Sequence, residues 1–110
     1  MLPLLLLEPT GPQHPRDCAR FERLRAALAE AAWDVQIGAE EPARRSAVAE
    51  VVVQVLPTVS STTLDSLEAI LVGHLGEALP RGHHRSGRVV IYGAGGDVLR
   101  IREVLHAKAA

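Results

Sequence analysis

Hydrophobic and polar positions alternate between two regimes along this chain, and the switches mark its elements. Leu2 to Leu7 is short and almost uniformly apolar, so it predicts a strand covered on both faces and central in a sheet. Pro9, Gly11, Pro12 and Pro15 follow as a stiff loop, and Pro15 can open a helix, where its missing N–H costs nothing. From about Pro15 to Ala32 the apolar residues Cys18, Phe21, Leu24 and Leu28 recur at spacings of three and four, which predicts an amphipathic helix. Asp17 stands in its first turn, where a negative charge meets the positive helix end.

Trp33 leads into a short strand, Val35 to Gly38, and Ala39 to Ser46 forms a polar connection. Val48 to Leu56 is the strongest strand signal, because Val51, Val52, Val53 and Val55 are branched at Cβ and favour extended backbone. Pro57 ends it. Ser60 or Ser61 can cap a second helix, with Thr62 and Asp65 spaced as a capping box. Leu64, Leu67, Leu71, Leu75 and Ala78 form its buried stripe with Ile70 alongside, and Pro80 and Gly82 stop it. Arg81 to Gly87 is a basic loop. Arg88 to Tyr92 and Val98 to Arg102 read as two strands around Gly93-Ala94-Gly95-Gly96-Asp97, and Glu103 to Ala110 as a short turn or fraying tail.

This order predicts a single α+β domain over residues 1–110. The expected plan is a ferredoxin-like βαββαβ sandwich with an added C-terminal hairpin strand and two helices on one face of an antiparallel sheet. The first and third strands are central in that plan, and they are the two that read as continuously apolar. At 110 residues the chain can bury a core without staples. Its 47% hydrophobic and 23% charged content is that of a globular protein, not a disordered one. A net charge of −1 gives no electrostatic pull toward nucleic acid or a membrane surface. A lone cysteine, Cys18, fits a reducing compartment. Leu4 to Leu7 has no basic residue before it and breaks at Glu8 and Pro9, unlike a secretion signal. No stretch approaches the roughly 20 apolar residues of a membrane span. The expected location is the cytoplasm.

No catalytic or metal-binding constellation emerges. Gly93 to Gly96 follows a strand as a phosphate loop does, but Val98 to Ile101 then alternates like a strand, so the glycines read as a hairpin turn. His83 and His84 lie in a loop near His74 without the further ligands that zinc requires. His74 continues the apolar stripe of the second helix and reads as a partly buried, hydrogen-bonded histidine. Cys18 lies on a core stripe without a base to activate it. Ser60 to Thr63 is accounted for by capping. Arg44 and Arg45, with Arg81, Arg85 and Arg88, read as solvated loop cations able to meet anions or acidic partners. Functional variants of the expected fold are disfavoured in turn. The only aromatics are Phe21, Trp33 and Tyr92, so the central strands lack the stacking residues of RNA-recognition domains. The chain has no Asn for acylphosphatase chemistry and no Cys-x-x-Cys loop for metal transfer. No enzyme, cofactor or metal is expected.

A surplus of apolar strand surface remains. If Val51, Val53 and Val55 face the helices, then Val52, Gln54 and Leu56 face away. The register of the first strand stays open, and Leu4 and Leu6 are assigned to the same outward face. Leu4, Leu6, Val52, Gln54 and Leu56 are thus the expected interaction surface, and burying about 600 Å² per subunit there would suit a homodimer or another protein partner. On this expectation Val52→Glu breaks the assembly and leaves a folded monomer.

The succession of a leucine-alanine helix (Leu24 to Ala32), a short strand, a polar loop and a valine strand ending Val55-Leu56-Pro57 resembles a known family. The small-residue cap at Ser60 to Thr63, the leucine helix, the arginine-histidine-glycine loop and the hairpin Arg88 to Arg102 extend the likeness over most of the chain. The family is the effector-associated constant component, type one. The resemblance implies a non-catalytic adaptor of bacterial conflict or immunity systems, partnered with an effector such as a peptidase-like protein. A second expectation is a small-molecule-sensing regulatory domain of ferredoxin-like type, with the Pro9 to Pro15 loop as its site.

Overall fold

The computed structural model describes residues 1–8, 15–39, 49–78 and 86–105. They form an α+β fold of five strands and two helices in the order β1 (Leu2–Glu8), α1 (Pro15–Glu30), β2 (Trp33–Ala39), β3 (Ala49–Val55), α2 (Ser61–Ala78), β4 (Ser86–Tyr92) and β5 (Val98–Leu105). The predicted elements are all present. The segments Pro9–His14, 40–48, 79–85 and 106–110 lie outside the described residues. With them go the expectations placed on Arg44, Arg45, Arg81, Arg85, His83 and His84, and most of the Pro9 to Pro15 loop.

The sheet order is β2-β1-β3-β4-β5. β1 pairs β2 in parallel and β3 pairs β4 in parallel, while β1–β3 and β4–β5 are antiparallel. The sheet is therefore mixed, and this corrects the expected antiparallel, ferredoxin-like arrangement. In the split plan each helix returns the chain one strand away. Here each helix joins two strands that hydrogen-bond directly. The element order is the same in both plans, so only the pairing itself distinguishes them.

Register decides which leucines face the helices. Leu4 pairs with Val55 and Leu6 with Val53, which places them on one face with Val51, Val89 and Ile91. These residues share one buried cluster with Leu24 and Leu28 of α1 and Leu67, Leu71 and Leu75 of α2. Phe21, Leu64 and Ile70 pack against it, so both helical stripes are used as their spacing predicts. Of the two capping serines, Ser60 accepts the Thr63 N–H at 3.2 Å. Asp65 is not used in a capping box. It pairs instead with Arg100 of β5.

Two turns complete the frame. Gly93 N–H donates to Asp97 at 2.8 Å and Gly96 N–H to Gly93 at 3.0 Å, with Gly96 at φ +84°, so the glycine cluster closes a hairpin as expected. Ala31 and Ala32 form the turn after α1, and Ala32 takes φ 69° without being glycine, a conformation disfavoured by about 1 kcal/mol. The supposed tail from Glu103 is in fact the end of β5, which runs on to Leu105.

Candidate functional site

The face of the sheet turned away from the helical core is built in cross-strand rows. Leu5, Gln54 and Tyr92 form one row through their registers, Val52, Val90 and Ile101 a second, and Glu50, Arg88 and Glu103 a third. The rows are apolar at their centre and ionic at one end. Arg88 donates to Glu50 at 2.5 Å, with the Glu50 side chain almost buried.

The five expected surface residues do not form one exposed patch. Leu4 and Leu6 are buried in the helical core, which corrects their assignment. Four consecutive leucines carry no period, so the pattern could not choose their face. Val52 does face away from the helices, but it is only 3% exposed and has little surface left to offer a partner. Gln54 spends its amide inside the molecule, where Nε2 donates to the carbonyls of Gly93 at 3.0 Å and Ala94 at 3.3 Å. Leu56 lies past the end of β3, half-buried, with its N–H on Pro3 O at 3.3 Å. On β1 the outward residues are Leu5 and Leu7. Both lean over Gly38 of β2, where a Cβ would stand 3.0 Å from Leu5 Cδ1 and 3.2 Å from Leu7 Cδ2.

The exposed apolar surface sits instead on β5. Val98, Leu99, Ile101 and Leu105 are all exposed, Ile101 by 57% and Leu105 by 76%. Ile101 pairs with outward-facing Val90, and Leu105 shares its face by alternation, while Leu99 falls at a bulge opposite Ile91 and Tyr92. β5 is also an edge of the sheet, so among the described residues no strand lies beside one side of its backbone. Sequence reasoning missed this surface by ending the strand at Arg102, although the run from Val98 to Leu105 is mostly apolar.

On the other face of β5, Arg100 reaches α2. Its guanidinium pairs with Asp65 and with Glu68 at 3.1 Å, and Nη2 donates to Ser61 O at 3.4 Å. The hydrogen bonds that Arg100 donates, to Asp65 first and then to Glu68, raise its pKa above its ordinary value. His74, half-buried on α2, is shifted the other way. Burial lowers its pKa first, and the nearby cations Arg20 and Arg23 of α1 lower it further against the pull of Glu77. The shift favours the neutral imidazole, and the half-burial matches its place on the stripe. Cys18 falls in the first turn of α1, and its side chain lies outside the described residues.

Comparison with protein-family models, with curated proteins and with solved structures gives no match for this chain.

One crevice of about 300 Å³ lies where α1 ends and α2 begins. Leu2, Trp33 and Ile70 supply apolar walls, and Thr62, Thr63 and Ser66 supply hydroxyls. Among the described residues no group of three or more His, Cys, Asp or Glu is placed to hold a metal ion. No helix among them is long and apolar enough to cross a membrane.

Proposed function

We propose that this chain is a non-catalytic, cytoplasmic interaction component that couples an effector to its regulation in a bacterial conflict or immunity system. The observation that supports the reading is the exposed apolar side of β5, where Val98, Leu99, Ile101 and Leu105 are exposed and Ile101 and Leu105 lie on the face away from the helical core. With both helices taken to cover a single face, β5 carries the contact strip for a protein partner at the edge of the opposite face, backed by the buried Val52 and Val90. Isolated surface leucines are ordinary, but four exposed large apolar residues fall on this one edge strand. The resemblance to effector-associated components gives the partner its class, a peptidase-like effector.

The test is co-expression with a peptidase-like effector encoded beside this chain. The wild-type chain is expected to co-purify with it, and Leu105→Glu, which places a charge on the most exposed of these positions, to lose it while staying folded. Retention of the effector by Leu105→Glu and by Leu99→Glu alike would remove β5 as the contact.

The crevice between α1 and α2 favours a second reading, a small-molecule sensor. Its apolar walls and three hydroxyls suit a compact, mostly apolar ligand with one polar end. A ligand present at 100 times its Kd stabilises the fold by about 2.7 kcal/mol. A metabolite panel read by thermal shift therefore separates the two readings.

A further inference from the structure

β5 offers a partner two things at once, apolar side chains and a backbone edge that no strand among the described residues pairs. β2 is the other edge of the sheet, but it exposes only Ile37 among its large apolar residues, against four on β5. The charges along β5 are unevenly answered. Arg100 is held by two carboxylates, Asp65 and Glu68, so that cluster has one negative charge more than its guanidinium cancels. Arg102 lies two residues on, on the same face as Arg100, exposed and without an ion-pair partner among the described residues.

An excess anion beside a free cation on the same strand edge is self-complementary under a two-fold axis. We propose that β5 pairs antiparallel with β5 of a second copy of this chain, about a two-fold axis through Ile101, and joins two five-stranded sheets into one. This rests on reading β5 as an interaction surface, and it names the occupant of its edge. In that register Ile101 meets Ile101 of the second copy and Leu99 meets its Glu103. Arg102 lies opposite Arg100 of the second copy, within the field of that copy's Asp65 and Glu68. A lysine or arginine on an edge strand ordinarily repels pairing. Here it faces a cluster of opposite net charge, so the same residue guides the pairing.

The size of the contact sets its strength. Seven paired residues run about 24 Å. With flanking side chains the two copies bury on the order of 1,000 Å² in total, near the lower bound for a specific interface. The dimer is accordingly weak, with a Kd in roughly the micromolar range. Edge pairing leaves the faces free, so an effector can still bind.

Light scattering over a dilution series tests the pairing. The wild-type chain is expected to approach twice its single-chain mass at high concentration and to fall toward the single-chain mass on dilution, more readily in high salt. Arg102→Glu should raise the dissociation constant at least tenfold with an unchanged circular dichroism spectrum. Adding Asp65→Lys to Arg102→Glu should restore pairing by reversing both charges, a rescue that mere loss of stability would not give. A wild-type chain that stays at single-chain mass at every concentration overturns the proposal, as does an Arg102→Glu chain that dimerises like wild type. The adaptor reading is scored separately. The monomeric Arg102→Glu chain keeps its apolar face, so effector capture by that variant reports on the adaptor role alone.

Discussion

Val52 and Val90 stand side by side on the parallel strands β3 and β4, both nearly inaccessible to solvent, yet outside the cluster that the helices complete. The sheet therefore holds a small second core on its far face, between the leucines of β1 and Ile101 of β5. This changes what a charge at Val52 should do. Val52→Glu is expected to unfold the protein or to lower its stability by at least about 3 kcal/mol, because a carboxylate there is almost shut off from water. Val52→Ala should cost about 2 kcal/mol through the cavity it leaves. Urea unfolding of both variants checks the pair of values, and a fully stable Val52→Glu chain would deny the second core.

Gln54 acts as a tie between β3 and the hairpin turn. Gln54→Ala leaves the Gly93 carbonyl without its side-chain donor and is expected to cost about 1 kcal/mol. The loss should be local as well as global. Hydrogen exchange at Gly93 and Gly96 should accelerate more than exchange at the centre of β4.

Ser60 caps α2 through its hydroxyl on the Thr63 N–H. Ser60→Ala should destabilise the fold by about 1 kcal/mol, and Ser60→Asp should keep most of that stability. Ser61→Ala, at a position equally suited to the role by sequence, should change stability little. Thermal unfolding of the three variants separates the two serines.

His74 makes stability depend on pH with a defined sign. Its pKa in the fold lies below the ordinary value of 6.5, so the unfolded chain takes up the proton first. The contribution of the neutral imidazole is whole above pH 6.5 and is lost as pH falls through the lower folded value. The urea midpoint of the wild-type chain should therefore drop between pH 7.5 and 5. Replacing His74 with Gln should flatten that part of the curve, and an unaltered slope would place the titration elsewhere.

The sequence was most readable where a period repeats over several turns or where branched residues cluster. Phe21, Leu24 and Leu28 marked the buried side of α1, and Leu67, Leu71 and Leu75 that of α2. The valines of β3 marked a covered strand. Leu4 to Leu7 could not reveal its register, because identical residues fit either face and only the pairing of Leu4 with Val55 decides. Gln54 looked like surface because its partners are carbonyls about forty residues away, which no local pattern encodes. The contact strip was hidden for another reason. Arg102 and Glu103 look like the start of a polar tail, and only their pairing with Val89 and Arg88 shows that the strand continues through them.

The seam between β1 and β3 has a mechanical consequence. Each of these strands is zipped to a parallel neighbour, over seven residue pairs for β1 with β2 and six for β3 with β4. They are stitched to each other by three, Leu4–Val55, Leu5–Gln54 and Leu6–Val53, with the Leu56 N–H on Pro3 O just beyond. The protein is thus two strand–helix–strand leaves, the second extended by β5, and force applied across the sheet has a preferred line along which to tear.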